Sequence, residues 1–232
     1  VYVIIDRKDA TAEPRFGVKQ TLTVPFWGKD IARMQPGQQV TLDSSPEVYG
    51  FPYELIGQLP EGDYTVQGFL NIYTTVHRSD GRILQVHFPA GDGGRPFDSP
   101  GNLYSTPVQL HLSPDNGPID LVLDKVVQPA DPVPPGGTPQ QGNPPESEHV
   151  KQLKIRSDLV SKFWGLDMYM GATVLLPRGY DNPKNRDRKY PVVYAAGHYS
   201  ERPPYNFVEP GSGKATNEFS AWWLSDKAPR FM

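Results

Sequence analysis

The chain has 232 residues, with 23 Lys and Arg against 26 Asp and Glu, for a formal net charge of −3. That balance excludes a generally basic nucleic-acid binder and gives no polybasic signal for an anionic membrane. Cysteine is absent, which excludes disulfide scaffolds, cysteine-based zinc sites, thiol nucleophiles and iron–sulfur ligation, and 22 Gly plus 26 Pro favour turns and extended segments over long helices.

The first part of the chain reads as all β. Residues 1–6, VYVIID, form a strand, and QTLTVPF (20–26) alternates apolar and polar residues. QQVTLD (38–43) follows a Pro36-Gly37 turn. A long alternating run over 59–78 puts Tyr64, Val66, Gly68, Leu70, Ile72, Thr74 and Val76 on one face. Glu61-Gly62-Asp63 and Ser79-Asp80-Gly81 bracket it as turns. RILQVHF (82–88), TPVQLHL (106–112) and PIDLVLDKVV (118–127) follow, the last after an Asp115-Asn116-Gly117 turn. Short alternating strands separated by turn residues predict an antiparallel β-sandwich over 1–127. His77, His87 and His111 fall on strands with no metal-ligand spacing, so they read as structural or surface residues, and no metal site is expected.

Residues 128–148, QPADPVPPGGTPQQGNPPESE, contain ten Pro or Gly among 21 residues. Such a stretch buries too little to offset its ordering entropy and reads as an interdomain linker. Charge shifts across it: by count 1–127 carries −5, the linker −3 and 149–232 +5.

Beyond the linker, KQLKIRS (151–157) and MGATVLLP (170–177) are predicted strands, the second closing in a turn over Pro177–Asp181. NPKNRDRKYP (182–191) is a charged loop. VVYAAGH (192–198) is continuous, β-branched and aromatic, the pattern of a strand buried on both faces. A Pro- and Gly-rich loop covers 199–214. Thr216–Lys227 is predicted helical, with Thr216 or Asn217 as N-cap and Phe219, Trp222 and Trp223 at i, i+3, i+4 on one apolar face. There is no G-x-S-x-G, no H-E-x-x-H, no EF-hand loop and no N-x-[ST] site. Gly211-Ser212-Gly213-Lys214 superficially resembles a phosphate loop, but Val208 stands where the first Gly belongs and Ala215 follows Lys214. No window of about 18 apolar residues exists to span a bilayer.

Leu175-Leu176-Pro177-Arg178-Gly179-Tyr180-Asp181, then Tyr190-Pro191-Val192-Val193-Tyr194 with Gly197-His198, resemble the opening of the esterase-D-like branch of the α/β-hydrolase superfamily over about 80 residues, from roughly 150 onward. LPEGDYTVQGFLNIYTT (59–75) and SPGNLYSTP (99–107) are similar to the Ig-like β-domain that precedes the hydrolase domain in some secreted bacterial members. The resemblance implies a mainly β chain in three parts: an Ig-like antiparallel β-sandwich at 1–127, a Pro-rich linker at 128–148, and the opening strands and first helix of an incomplete α/β-hydrolase domain at 149–232. It also implies that Gly197, His198 and Tyr199 form a loop offering backbone N–H groups to an oxyanion. The order here is Gly-His, where the family more commonly has His-Gly.

In that family the nucleophile elbow, acid and base come later than the residues present, so no catalytic residue is assigned here. The implied function is the N-terminal portion of a serine carboxylesterase. Further polypeptide or a partner protein chain would complete it by packing against Phe219, Trp222 and Trp223. The alternative is a non-catalytic structural or docking subunit of a larger extracytoplasmic assembly. A third reading, a carbohydrate-binding or adhesion module, rests on Tyr49, Phe51 and Tyr53. No cofactor and no nucleic-acid partner are expected. The lack of cysteine, the Pro-rich linker and the start on Val1 favour a secreted or periplasmic location.

Overall fold

Residues 1–19, 23–87, 96–128, 146–195 and 203–228 are described by the computed structural model of the chain. It divides into two units. The first comprises Val1–Thr75 with Leu84–Pro129, and the second Val76–Ile83 with Ala130–Met232. Taken together the described residues are mainly β, with antiparallel sheets and few helices.

The first unit is organised by β4 (Gly62–Leu70), whose residues from Thr65 to Phe69 are buried on both faces. Both of its edges are paired. On one side lies β1 (Tyr2–Arg7), in register Ile5↔Val66 and Val3↔Gly68. On the other lie β8 (Val108–Leu112), with Tyr64↔Leu110, and β7 (Leu103–Tyr104), with Phe69↔Tyr104. Beyond β1 the sheet continues through β2 (Phe26–Gly28) to β3 (Tyr49–Phe51), and β9 (Lys125–Val126) extends β7. Val3, Ile5, Trp27, Val48 and Val66 form the core cluster on one face.

The other face of β4 carries Gln67 and Phe69, both with no exposed surface. Phe69 packs on Phe97 at 5.0 Å between ring centroids. Gln67 accepts from the Arg15 backbone N–H (3.1 Å) and donates to Ser105 O (3.0 Å) and Glu13 Oε2 (2.8 Å). The Arg15 guanidinium completes this network. It donates to Glu13 Oε2 at 2.8 Å and to Phe97 O, and it lies 4.1 Å from the centroids of both Phe16 and Tyr104. Buried polar groups of this kind are tolerated only when their hydrogen bonds are made, and here they are.

Several expectations are corrected. The run over 59–78 is not one strand: it breaks after Leu70, where the Ile72 N–H turns to Asn102 Oδ1 (2.8 Å), and β5 (Thr74–His77) pairs instead with β6 (Ile83–Val86). Ile72 is exposed and does not continue the buried face. Residues 38–43 and 118–124 are not strands, so they lie as irregular segments over the seven-stranded sheet and do not form the second layer of a sandwich. Those segments send in Leu42 from the first and Leu121 and Leu123 from the second, the latter two against Gly68, and a groove of 2050 Å³ lies between them and the sheet. Such anchors bury side chains without ladder partners, so the alternation in these segments does not become strand. Within 20–26, residues 20–22 lie outside the described residues. So does most of the 128–148 linker, of which 128 and 146–148 are described.

The second unit is built on a hairpin. β10 (Val150–Arg156) pairs along its whole length with β11 (Tyr169–Leu175), from Val150↔Leu175 to Arg156↔Tyr169. The connection contains a helix that the sequence reading missed, α1 (Asp158–Trp164). Ser157 caps its start by accepting from Val160 N–H. Gly165 ends it with φ 72°, a left-handed conformation, and a Cβ there would stand 2.4 Å from His77 O. The hairpin tip 76–83 belongs to this unit: Ser79 N–H donates to Phe163 O at 2.8 Å, and Arg78 stacks over Phe163. α2 (Glu218–Trp223) is shorter than the predicted 216–227. Its N-cap is Asn217, which accepts from Ser220 N–H at 2.8 Å.

Residues 192–195 are a correction of a different kind. They do not form a strand, and Val192, Val193 and Tyr194 are 70%, 70% and 89% exposed. No strand among the described residues flanks them, and a segment of this composition is stable as strand only with neighbours on each edge. Among the described residues, no helix is long and apolar enough to cross a membrane.

Candidate functional site

The site lies in the second unit, where β10 begins. Ser147 closes a tight turn into the strand: its N–H donates to Val150 O (3.0 Å), and its Oγ accepts from Val150 N–H (3.2 Å). His149 sits inside this turn, and its carbonyl accepts from Leu176 N–H at 2.7 Å, just past the paired end of β11. The turn and the Leu176 bond therefore fix the His149 backbone at the head of the strand.

Glu209 reaches His149 from a loop 60 residues away. That loop is pinned to α2. Val208 N–H donates to the buried Ser220 Oγ (2.8 Å), and Asn217 Nδ2 donates to Asn206 O (2.9 Å). The Glu209 carboxylate accepts from His149 Nδ1 (2.6 Å), from His149 N–H (3.3 Å) and from the Ser147 hydroxyl. Burial pushes its pKa up, but the hydrogen bonds from Ser147 and His149 outweigh that and hold the carboxyl below the ordinary glutamate value. Phe207 covers the ring, 5.9 Å between centroids.

An ionised carboxylate only accepts, so Nδ1 carries the proton in this contact. The other ring nitrogen, Nε2, has no hydrogen-bond partner among the described residues, although the His149 side chain is 7% exposed. Its neighbour is Glu148 Oε1 at 3.8 Å. Glu148 and His149 border a cavity of 260 Å³ together with Gly179, Tyr180, Asp181 and Asn182. The far wall is the turn predicted from Pro177–Asp181: Tyr180 N–H donates to Pro177 O at 3.1 Å, and Gly179 takes φ 76° at its third position.

A carboxylate-oriented imidazole with an open Nε2 has the form of a general base or a metal ligand. Among the described residues no nucleophile stands on it: the Ser147 hydroxyl is committed to Glu209. A Ser–His contact exists in the first unit, where His87 Nε2 lies 3.1 Å from Ser99 Oγ. Ser99 has no exposed surface and is out of a substrate's reach.

Of the residues singled out by sequence, Gly197, His198 and Tyr199 lie outside the described residues. Phe219, Trp222 and Trp223 do share a face. Phe219 lies 5.9 Å from Trp222, 5.7 Å from Trp223 and 4.7 Å from Tyr205. Trp223 Nε1 donates to Leu176 O at 2.8 Å, tying α2 to the end of β11. Of the three, Trp222 is left most open, at 39%. His111 is a surface residue, 2.9 Å from Asp63 and 3.2 Å from Glu61.

The sequence reading missed Ser147, Glu148, His149 and Glu209. A titratable Glu-His pair at the edge of a Pro-rich stretch was the one signal available, and the partner 60 residues on carries no spacing rule. No family model, curated protein or solved structure matches the chain.

Proposed function

We propose that residues 149–232 are the opening portion of a serine carboxylesterase of the α/β-hydrolase type, preceded by an Ig-like β-module and acting outside the cytoplasm. The observation that carries this is the segment Val192–Tyr194. It has the composition of an inner strand, yet it is left exposed without strand partners among the described residues. Such a segment gains on the order of 2 kcal/mol for each large side chain that a completed sheet would bury. The resemblance of 175–181 and 190–198 to the esterase-D-like opening names the sheet that would do so. The nucleophile, acid and base would come from further polypeptide.

The test is ester hydrolysis. The 232-residue chain is expected to give no turnover of short p-nitrophenyl esters. A product extended through the coding sequence past Met232 is expected to hydrolyse them and to be blocked by a serine-directed phosphonate. A reading frame that stops there, or an extended product without turnover, overturns the proposal. Either result favours the second reading, a non-catalytic structural or docking subunit. That reading is supported by the burial of Ser99 and the commitment of Ser147, which leave no serine poised on a histidine at an open surface among the described residues.

A further inference from the structure

We propose that Glu148 and His149 form a binding site for a divalent transition metal of the zinc class, with Glu209 as the positioning residue behind the imidazole. The assignment of roles follows from distances. His149 Nδ1 and Glu209 Oε1 are 2.6 Å apart. Two ligand atoms that close, each about 2.1 Å from an ion, would subtend only about 76° there, so this contact is a hydrogen bond and not a shared ligation. Nε2 and Glu148 Oε1 are 3.8 Å apart. At the same bond length they subtend about 130°, wider than tetrahedral, and a closing movement of about 0.4 Å brings them to it.

A second observation points to a ligand independently of the carboxylates. His149 Nε2 is a polar atom with no hydrogen-bond partner among the described residues, on a side chain that is 7% exposed, and Glu148 Oε1, another acceptor, stands 3.8 Å from it. With Nδ1 protonated toward Glu209, Nε2 presents a lone pair to a carboxylate oxygen. A cation between them satisfies both. Carboxylate, imidazole and metal in a row is the arrangement in which an outer carboxylate fixes the tautomer and raises ligand basicity. The three acidic and imidazole donors lie within 4.8 Å of one another.

The site is also preformed. His149 is clamped through its backbone N–H to Glu209 and through its carbonyl to Leu176, so binding orders little beyond the Glu148 side chain. That side chain is 76% exposed and gives an ion access from solvent. Asp181 borders the same cavity, and water would complete the coordination of a bound ion. One imidazole and one carboxylate favour zinc, cobalt or nickel over magnesium and calcium, which take oxygen ligands.

The competing occupant of Nε2 is a second proton, which would make His149 an imidazolium between two carboxylates. Titration of the full chain with Zn²⁺ at neutral pH, followed by calorimetry and by nitrogen NMR of the imidazole, separates the two. The expected result is saturable binding of one ion per chain, a shift confined to the Nε2 resonance, and no response to Mg²⁺. Glu148→Gln removes an exposed carboxylate without touching the fold and is expected to weaken binding at least tenfold. Glu209→Gln is expected to weaken it by about 10- to 100-fold, because a neutral amide oxygen replaces the charged partner that orients the ring and raises its basicity. Co²⁺ in place of Zn²⁺ should give a visible absorption band that Glu148→Gln reduces. Three outcomes overturn the proposal: no saturable binding, binding indifferent to Glu148→Gln and His149→Gln, or both ring nitrogens still protonated in excess Zn²⁺.

Discussion

Two buried polar networks in this chain are built from similar parts and end differently. Around Gln67 in the first unit, the buried side-chain amide is bonded through both its oxygen and its nitrogen, to the Arg15 N–H, Glu13 and Ser105 O, and two aromatic rings flank the Arg15 guanidinium. Around Glu209 in the second unit, Ser147 and His149 exhaust the carboxylate but leave one imidazole nitrogen open. The first is closed and serves the sheet. The second is anchored on three sides and available on the fourth. The difference lies in what is left over: the buried Gln67 amide is satisfied, whereas His149 Nε2 has no hydrogen-bond partner among the described residues. That makes the second the place to look for chemistry.

The comparison breaks most sharply at Gln67. Gln67→Leu strips partners from the Arg15 N–H, Glu13 and Ser105 O at once, in a position with no exposed surface. The expected loss is about 3 kcal/mol, read as a lower urea midpoint at unchanged slope. An unchanged midpoint would show that the network contributes packing alone. Glu209→Gln keeps shape and one acceptor but loses the charge-assisted bonds from Ser147 and the His149 backbone. A smaller loss is expected, about 2 kcal/mol, by the same measurement.

The smallest effect concerns acid. Burial opposes ionisation of Glu13, but the hydrogen bonds from Gln67 and Arg15 prevail and hold its pKa below the ordinary 4.5. A carboxyl whose folded value is depressed contributes stability above its unfolded value, and that contribution is lost as pH falls through the folded one. Glu13→Gln is therefore expected to flatten the stability profile below about pH 4.5. A profile as steep as that of the unsubstituted chain would remove Glu13 from the network.

What could be read from the sequence follows the range of the interactions. The alternation in 151–157 and 170–177 marked β10 and β11, and the turn at Pro177–Tyr180 was legible because Gly179 is one of the few residues at ease at its φ. α1 carried its signals, Ser157 before it and Gly165 after it, but its seven residues are too few for a periodic pattern to stand out. The expected second sheet failed because alternation in 38–43 and 118–124 records that one face is buried, not that a strand lies alongside. Val192–Tyr194 shows the converse: the composition of an inner strand, without strand neighbours among the described residues. The Glu209 site was illegible because its members sit at the edge of a Pro-rich stretch and in a loop 60 residues on, joined only by tertiary structure.

The full-length register of β10 with β11 also sets an order in time. Its pairs join residues 13 apart at Arg156↔Tyr169 and 25 apart at Val150↔Leu175. The contact of His149 with Glu209 spans 60. Closing the longer loop costs about 0.8 kcal/mol more in chain entropy than closing the widest hairpin pair, and it needs α2 in place to hold the Glu209 loop. The hairpin is thus the early event and the carboxylate latches onto it late. Stopped-flow kinetics of Glu209→Gln should then show nearly unchanged folding and faster unfolding, with the whole stability loss on the unfolding limb. A slowed folding limb would place the latch ahead of the hairpin.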